Sequence, residues 1–552
     1  MGISIHLCIS KSVTKEEWAN TYEETLILVK NFPLAEKRQA NIHGIDTLCL
    51  VKTEEREYTY GWHNEIKRTG WTAHGDYVSL NFAESYFLPR DLVKDDAFDP
   101  DAGDAMICYL PSCLDYDWED ERFQNAYEKW GAKTQGEPYH IYLLAIACLI
   151  ADKLKDKVYI YGDITRGQCR QAVEIANRYL AHPIDMPDHC YADKLARRVS
   201  GLPVSDEEKL TVYNSFYLGT KDINFGECMR KYFQEDTLDA YWKKKMSEYD
   251  IGTNGFDSIF DEYLVMGFDL QKLCGYVKLQ DKNGKDVHAD FVKRVMDAKL
   301  HIAEKDCGDI LKIDKEASGA YGVSTLFAQF GFAGARNKRV DRFIPVEEVR
   351  QALKAGLNTC TDVEQLIDDY LEMEASQEKN SPEEAFSSDK DRENVSQQEV
   401  SDAFNQIMNQ KMESMQKMQE EYDICDFEDL KFYKHGDTIQ PALEKSLGKS
   451  RRFLNDILKE EQFASLMNKD AHTRCEWLIK QNGSIALLDK DWDRIFSNIE
   501  EDEESFARYY PIMRTKLNNH SLIQMSAALM INDELYAYSK QLADQTEDDS
   551  AS

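Results

Sequence analysis

At 552 residues the chain exceeds the roughly 250 to 300 residues at which a single core stops growing, so two to four domains are expected. Its 100 acidic against 67 basic residues give a formal charge of -33, which repels phosphate backbones and anionic headgroups and argues against nonspecific nucleic-acid or membrane binding. With 42% hydrophobic and 11% aromatic residues the chain can fill packed interiors, which excludes disorder throughout.

Ile3, Ile5, Leu7 and Ile9 alternate with Ser4, His6, Cys8 and Ser10, the period of two of a half-buried strand. Thr14 and Glu17 form a capping-box pattern, and Trp18, Tyr22, Leu26 and Val29 then recur at helical spacing up to Pro33. Short strands are expected at Asp46–Val51 and Glu57–Trp62, and a loop at 99–104 before the apolar Ala105–Leu110. Tyr139–Leu154 is apolar on nearly every face and predicts a buried helix. Lys157–Tyr161 follows as a strand, and Thr165 with Gln168 opens a helix running to Leu180.

From Ser205, paired with Glu208 as another capping box, the period becomes helical, with segments near 206–246, 256–276, 288–304, 321–334 and 346–374. Asn283-Gly284 predicts a hairpin inside this region. The stretch 374–400 is Ser, Glu, Gln, Asn and Lys with few apolar residues and reads as a disordered linker. Phe404, Met408, Met412, Met415 and Tyr422 then share one helix face. The expected organisation is an α+β N-terminal domain over 1–203, a mainly helical domain with one hairpin over 204–373, the linker, a helical domain over 401–540 and a disordered tail over 541–552.

The 13 cysteines include no CxxC pair and no Cys/His ligand spacing, so no zinc site, metal or cofactor is expected. Met1–His6 lacks the basic and apolar regions of a signal peptide, and Ile141–Ala151 is short of the roughly 20 residues that cross a bilayer, so a cytoplasmic, membrane-free protein is expected. Gly448-Lys449-Ser450 ends like a phosphate-cradling loop, but Leu443 stands where its first glycine belongs, and it reads as a turn between helices. The loop Asp281–Asp286 fails the calcium pattern at its fifth position and at Val292. The carboxylates Asp95, Asp96, Asp99, Asp101 and Asp104 read as a solvated acidic loop.

No HExxH and no GxSxG is present, so no catalytic residue can be assigned from motifs, although a triad is defined by geometry and can assemble from distant residues. Tyr161–Gln168 is the most distinctive block. A strand-to-helix turn aims free N–H groups at one spot, and Asp163, Thr165 and Arg166 are its candidate ligand-binding residues, against the plainer reading that Asp163 and Thr165 cap the helix. Arg336, Lys338, Arg339 and Arg342 form the one basic concentration and are candidate partner-binding residues.

The segment Pro138–Leu180, an apolar helix, the strand ending Tyr159-Ile160-Tyr161-Gly162-Asp163 and a helix from Thr165, resembles uncharacterised bacterial cytoplasmic proteins, some of them similar to immunity or defence-associated proteins. The resemblance covers under a tenth of the chain and transfers no functional residue. Two functions follow. The first is a non-enzymatic interaction protein, immunity-type or defence-associated, that binds another protein of basic surface. The alternative is an enzyme with dispersed active-site residues acting on a phosphate-bearing small molecule near the 161–168 turn.

Overall fold

A computed structural model describes residues 2–60, 66–92, 98–114, 116–117, 120, 123–280, 284–303, 340–358, 362–378, 429–517 and 519–548. The fold starts as its alternation predicts. Strand β1 (Ser4–Ser10) leads to helix α1 (Lys15–Asn31), whose Thr14–Glu17 capping box forms both of its reciprocal bonds. Then come β2 (Leu34–Ile42), β3 (Ile45–Lys52), β4 (Arg56–Tyr60), β5 (Ile66–Asp76) and β6 (Phe82–Pro89), followed by a 3-10 turn at Ala105–Tyr109 and α2 (Leu110–Leu114). Strand β7 (Ala126–Lys133), the buried α3 (Tyr139–Leu154), β8 (Val158–Gly162) and α4 (Arg166–Ala176) complete the mixed region. The remainder of the described chain is helical, so the architecture is an α+β N-terminal region followed by mostly α-helical regions.

Two antiparallel sheets organise the first part. One has the order β7-β1-β8, and the other runs β3-β2-β5-β4 with β6 paired to β5. Because side chains alternate along β1, Ile5, Leu7 and Ile9 enter a core with Trp18, Trp71 and the apolar residues of α3. Cys8 points the other way, into a second core shared with Met106, Tyr159 and helices from α5 (Ala192–Ser200) onward. A third core unites Leu50 and Ile42 of the β2–β3 hairpin with Trp492, Phe496 and Tyr510 from the C-terminal helices. The C-terminal region therefore docks on the N-terminal sheet, with Leu50 N–H donating to the Leu487 carbonyl at 2.9 Å and Lys431 Nζ to Asn81 Oδ1 at 3.0 Å.

Several boundaries differ from the sequence reading. Helix α4 stops at Ala176, not Leu180, because the Asn177 side chain turns to bond both the N–H and the carbonyl of Ile184. The run 206–246 is three helices, Asp206–Phe216, Ile223–Tyr232 and Glu235–Ser247, the second started by Asp222 accepting from two free amides. Gly448-Lys449-Ser450 lies inside the helix Pro441–Ile457 and is not a turn; Gly448 is buried where the backbone of Leu542 approaches, so a glycine in mid-helix has a packing reason. Of the expected hairpin only the bridge Gln280–Asp286 is present among described residues. The helix Val363–Glu378 enters the stretch read as linker, and the last helix runs Asp533–Asp548, past the expected tail boundary at 540. The segment 321–334, Asp95, Asp96 and the methionine face 404–422 lie outside the described residues.

The Thr165–Gln168 capping box gives a stability prediction. Thr165 Oγ1 accepts from Gln168 N at 3.1 Å and Gln168 Oε1 from Thr165 N at 3.0 Å. Thr165→Ala is expected to lower unfolding free energy by about 0.5 to 2 kcal/mol in urea titrations, and an unchanged midpoint contradicts the capping role.

Candidate active site

The polar stripe of β1 builds the site. Residues two apart on a strand share a face, so Ser4 and His6 project together. In the register of the β7-β1-β8 sheet, His6 lies opposite Gly131 on one side and Tyr161 on the other, and a bulge between Leu7 and Cys8 brings Glu128 opposite Cys8. The bulge shifts Glu128 toward the histidine. A side chain on Gly131 would collide with both His6 Nδ1 and Glu128 Oε1, so a glycine is what lets this pair meet across the sheet.

Ser4 Oγ is 3.1 Å from His6 Nε2, and His6 Nδ1 is 2.7 Å from Glu128 Oε2. Tyr161 stacks on the His6 ring at 4.7 Å and donates its hydroxyl to Glu128 Oε2 at 2.7 Å. The His6 hydrogen bond, seconded by Tyr161, holds the Glu128 carboxyl below its ordinary value against the opposing effect of burial. An ionised carboxylate only accepts, so Nδ1 carries a proton; when Nε2 is unprotonated, its lone pair and Asp163 Oδ2 are the two acceptors for the one proton of the Ser4 hydroxyl. Ser4, His6 and Glu128 thus stand in the order hydroxyl, imidazole and carboxylate found in hydrolytic triads, and with His6 26% and Glu128 42% exposed the group opens to solvent.

Comparison with known proteins finds no matching family model, no similar curated protein and no similar solved structure. The site is therefore read from its own geometry.

The residues expected at the turn have separate tasks. Asp163 joins the site, its Oδ2 accepting from Ser4 N at 2.9 Å and from the Ser4 hydroxyl at 3.2 Å. Thr165 caps α4, and Arg166 lies where its charge acts on Cys190 and Tyr191. His140, 2% exposed, is paired through Nδ1 with Thr134 Oγ1 at 2.7 Å, and burial lowers its pKa to about 4. Of the basic concentration, Arg336, Lys338 and Arg339 lie outside the described residues. Arg342 donates to the carbonyls of Leu264 and Phe268 at 3.1 and 2.7 Å, so it supports the helical region.

Among the described residues no group of three His, Cys, Asp or Glu side chains is arranged to hold a metal ion, and no helix is long and apolar enough to cross a membrane. A small cleft of about 70 Å³ beside α5 is bordered by Asp152, Asp185, Asp188, His189, Lys194 and Arg198, whose charges are largely paired with one another or with neighbours.

Sequence reasoning passed over Ser4, His6 and Glu128. The Ser-x-His spacing on a predicted strand was the available signal. Glu128 carried none, because its place beside His6 depends on a bulge between strands more than 100 residues apart.

Proposed function

We propose that the chain is an enzyme of the acyl-transfer or hydrolytic class with Ser4 as nucleophile, His6 as general base and Glu128 as orienting carboxylate. The observation that carries this reading is the unbroken chain from Ser4 Oγ through both nitrogens of His6 to Glu128 Oε2. In it, Ser4 Oγ attacks the carbonyl carbon of an ester or amide while its proton passes to His6 Nε2. The ionised Glu128 stabilises the resulting imidazolium. His6 then returns the proton to the leaving oxygen or nitrogen, and a water deprotonated by His6 attacks the acyl group, the Ser4 Oγ–acyl bond breaking as His6 gives that proton back to Ser4 Oγ. Two carboxylates, Glu128 and Asp163, border the nucleophile, which favours a neutral or cationic acyl substrate over a phosphate-bearing one.

The test is turnover of a panel of neutral and cationic p-nitrophenyl esters. Wild type is expected to exceed background, and Ser4→Ala and His6→Ala are each expected to lose about 10³-fold or more, with the double variant little worse than either. Equal turnover in wild type and Ser4→Ala overturns the reading.

A second reading is favoured by the formal charge of -33. An acidic surface steers a basic protein partner at long range, as an immunity-type or defence-associated factor of the bacterial cytoplasm would require. A partner captured equally by wild type and Ser4→Ala, with association slowed by salt, supports it.

A further inference from the structure

The face of β1 that carries Ser4 and His6 continues inward to Cys8, which is 0% exposed and meets Cys108 of the 3-10 turn with the two sulfurs 2.7 Å apart. Both thiols are free. Each sits on a fixed support: Cys8 on the central strand of its sheet, and Cys108 on a turn whose cap, Asp104, is clamped by Arg198. From this geometry we infer that Cys8 and Cys108 are a redox modification site, closed to a disulfide by a peroxide and reopened by a thiol reductant. Closure brings the sulfurs together by only about 0.7 Å, since a disulfide spans about 2.05 Å.

The two sulfurs have different parts. Cys8 donates its S–H to Cys108, which lowers the Cys108 thiol and raises that of Cys8, and Cys108 is also the more exposed of the two. The Cys108 thiolate attacks one oxygen of hydrogen peroxide, the O–O bond breaks, and with one proton a water leaves, so sulfur becomes sulfenic acid. The Cys8 sulfur then attacks the Cys108 sulfur, the S–OH bond breaks, and the Cys8 proton leaves with hydroxide as a second water. Two thiols have been oxidised and one peroxide reduced.

The disulfide also bears on the Ser4 site, a consequence that rests on the proposed function. Tyr109, next to Cys108, stacks on Tyr161 at 4.2 Å, and Tyr161 both stacks on His6 and donates to Glu128. Drawing the turn toward β1 moves the aromatic pair that holds the histidine, so the oxidised chain is expected to be the less active form.

The experiment treats the full reduced chain with stoichiometric hydrogen peroxide, blocks remaining thiols and measures mass before and after dithiothreitol. A loss of about 2 Da is expected, with tryptic peptides 1–11 and 95–122 joined, reversed by the reductant. Because 95–122 also holds Cys113, Cys113→Ser should keep the link and Cys108→Ser should lose it. Cys108 trapped as sulfinic acid with Cys8 still free, or no joined peptide, overturns the proposal. Ester turnover should fall roughly tenfold or more on oxidation and recover on reduction. A link that forms while turnover stays constant overturns its regulatory role, whereas a link in a chain that turns over no ester upholds the thiol site and counts against the hydrolytic reading.

Discussion

Acidification from pH 7 to pH 5 is expected to destabilise the fold by about 5 kcal/mol, mainly through three histidines held in the neutral form. His140 and His189 are 2% and 3% exposed, and burial lowers their pKa values to about 4 and about 3, the Arg198 charge adding to the effect at His189. Burial, with the Lys37 charge, likewise lowers the half-buried His74 to about 4. In the unfolded chain all three take up a proton near pH 6.5. Between that value and the folded values the unfolded state binds more protons, so stability rises with pH and is lost on acidification, at about 1.4 kcal/mol per pH unit for each histidine. His43 works the other way. Glu500 and Asp493 raise its pKa, so its contribution is present below pH 6.5 and lost as pH rises through the raised value, but exposed partners keep it small. Urea midpoints at pH 7 and pH 5 at constant ionic strength measure the difference. His189→Leu should remove about a third of the slope, and equal midpoints at the two pH values contradict the assignment.

Asp104→Ala is expected to lose about 3 to 5 kcal/mol, the cost of leaving a buried charge without its partner. The Arg198 side chain is 8% exposed and that of Asp104 14%. Nε and Nη2 of Arg198 reach the two Asp104 oxygens at 2.6 and 2.7 Å, and Nη2 also reaches the Val158 carbonyl at 2.8 Å. The guanidinium thereby ties α5 to the 3-10 turn and to the start of β8, where the first two cores meet. Removing both charges should be far milder than removing one, so Asp104→Ala with Arg198→Met is expected to recover much of the loss. A double variant no more stable than Asp104→Ala contradicts this account.

What was legible in the sequence was local. The alternation of β1, the apolar α3 and three capping boxes at Thr14, Thr165 and Ser205 are each written within a few residues, and each is present in the structure. Strands β2, β5, β6 and β7 were not recognised, because sequences such as Leu-Ala-Glu-Lys-Arg-Gln-Ala-Asn-Ile become strands through their neighbours in the sheet. The site divides in the same way. Ser4 and His6 share a visible period of two, whereas Glu128 and Cys108 reach that face only through a sheet register and a packed turn more than 100 residues away. Asp163 was singled out for its turn, but its hydrogen-bond partner is the N-terminal strand, a contact no local pattern encodes.

The central claim is that Ser4 is an activated nucleophile. It is tested most directly by incubating the native chain with a fluorophosphonate, which a serine activated by its neighbouring base captures as fluoride departs. The account predicts a single adduct, carried by peptide 1–11, localised by fragmentation to Ser4, retained in Ser10→Ala and lost in Ser4→Ala, in His6→Ala and on unfolding. A native chain that takes no label, or a label that persists in Ser4→Ala, contradicts it.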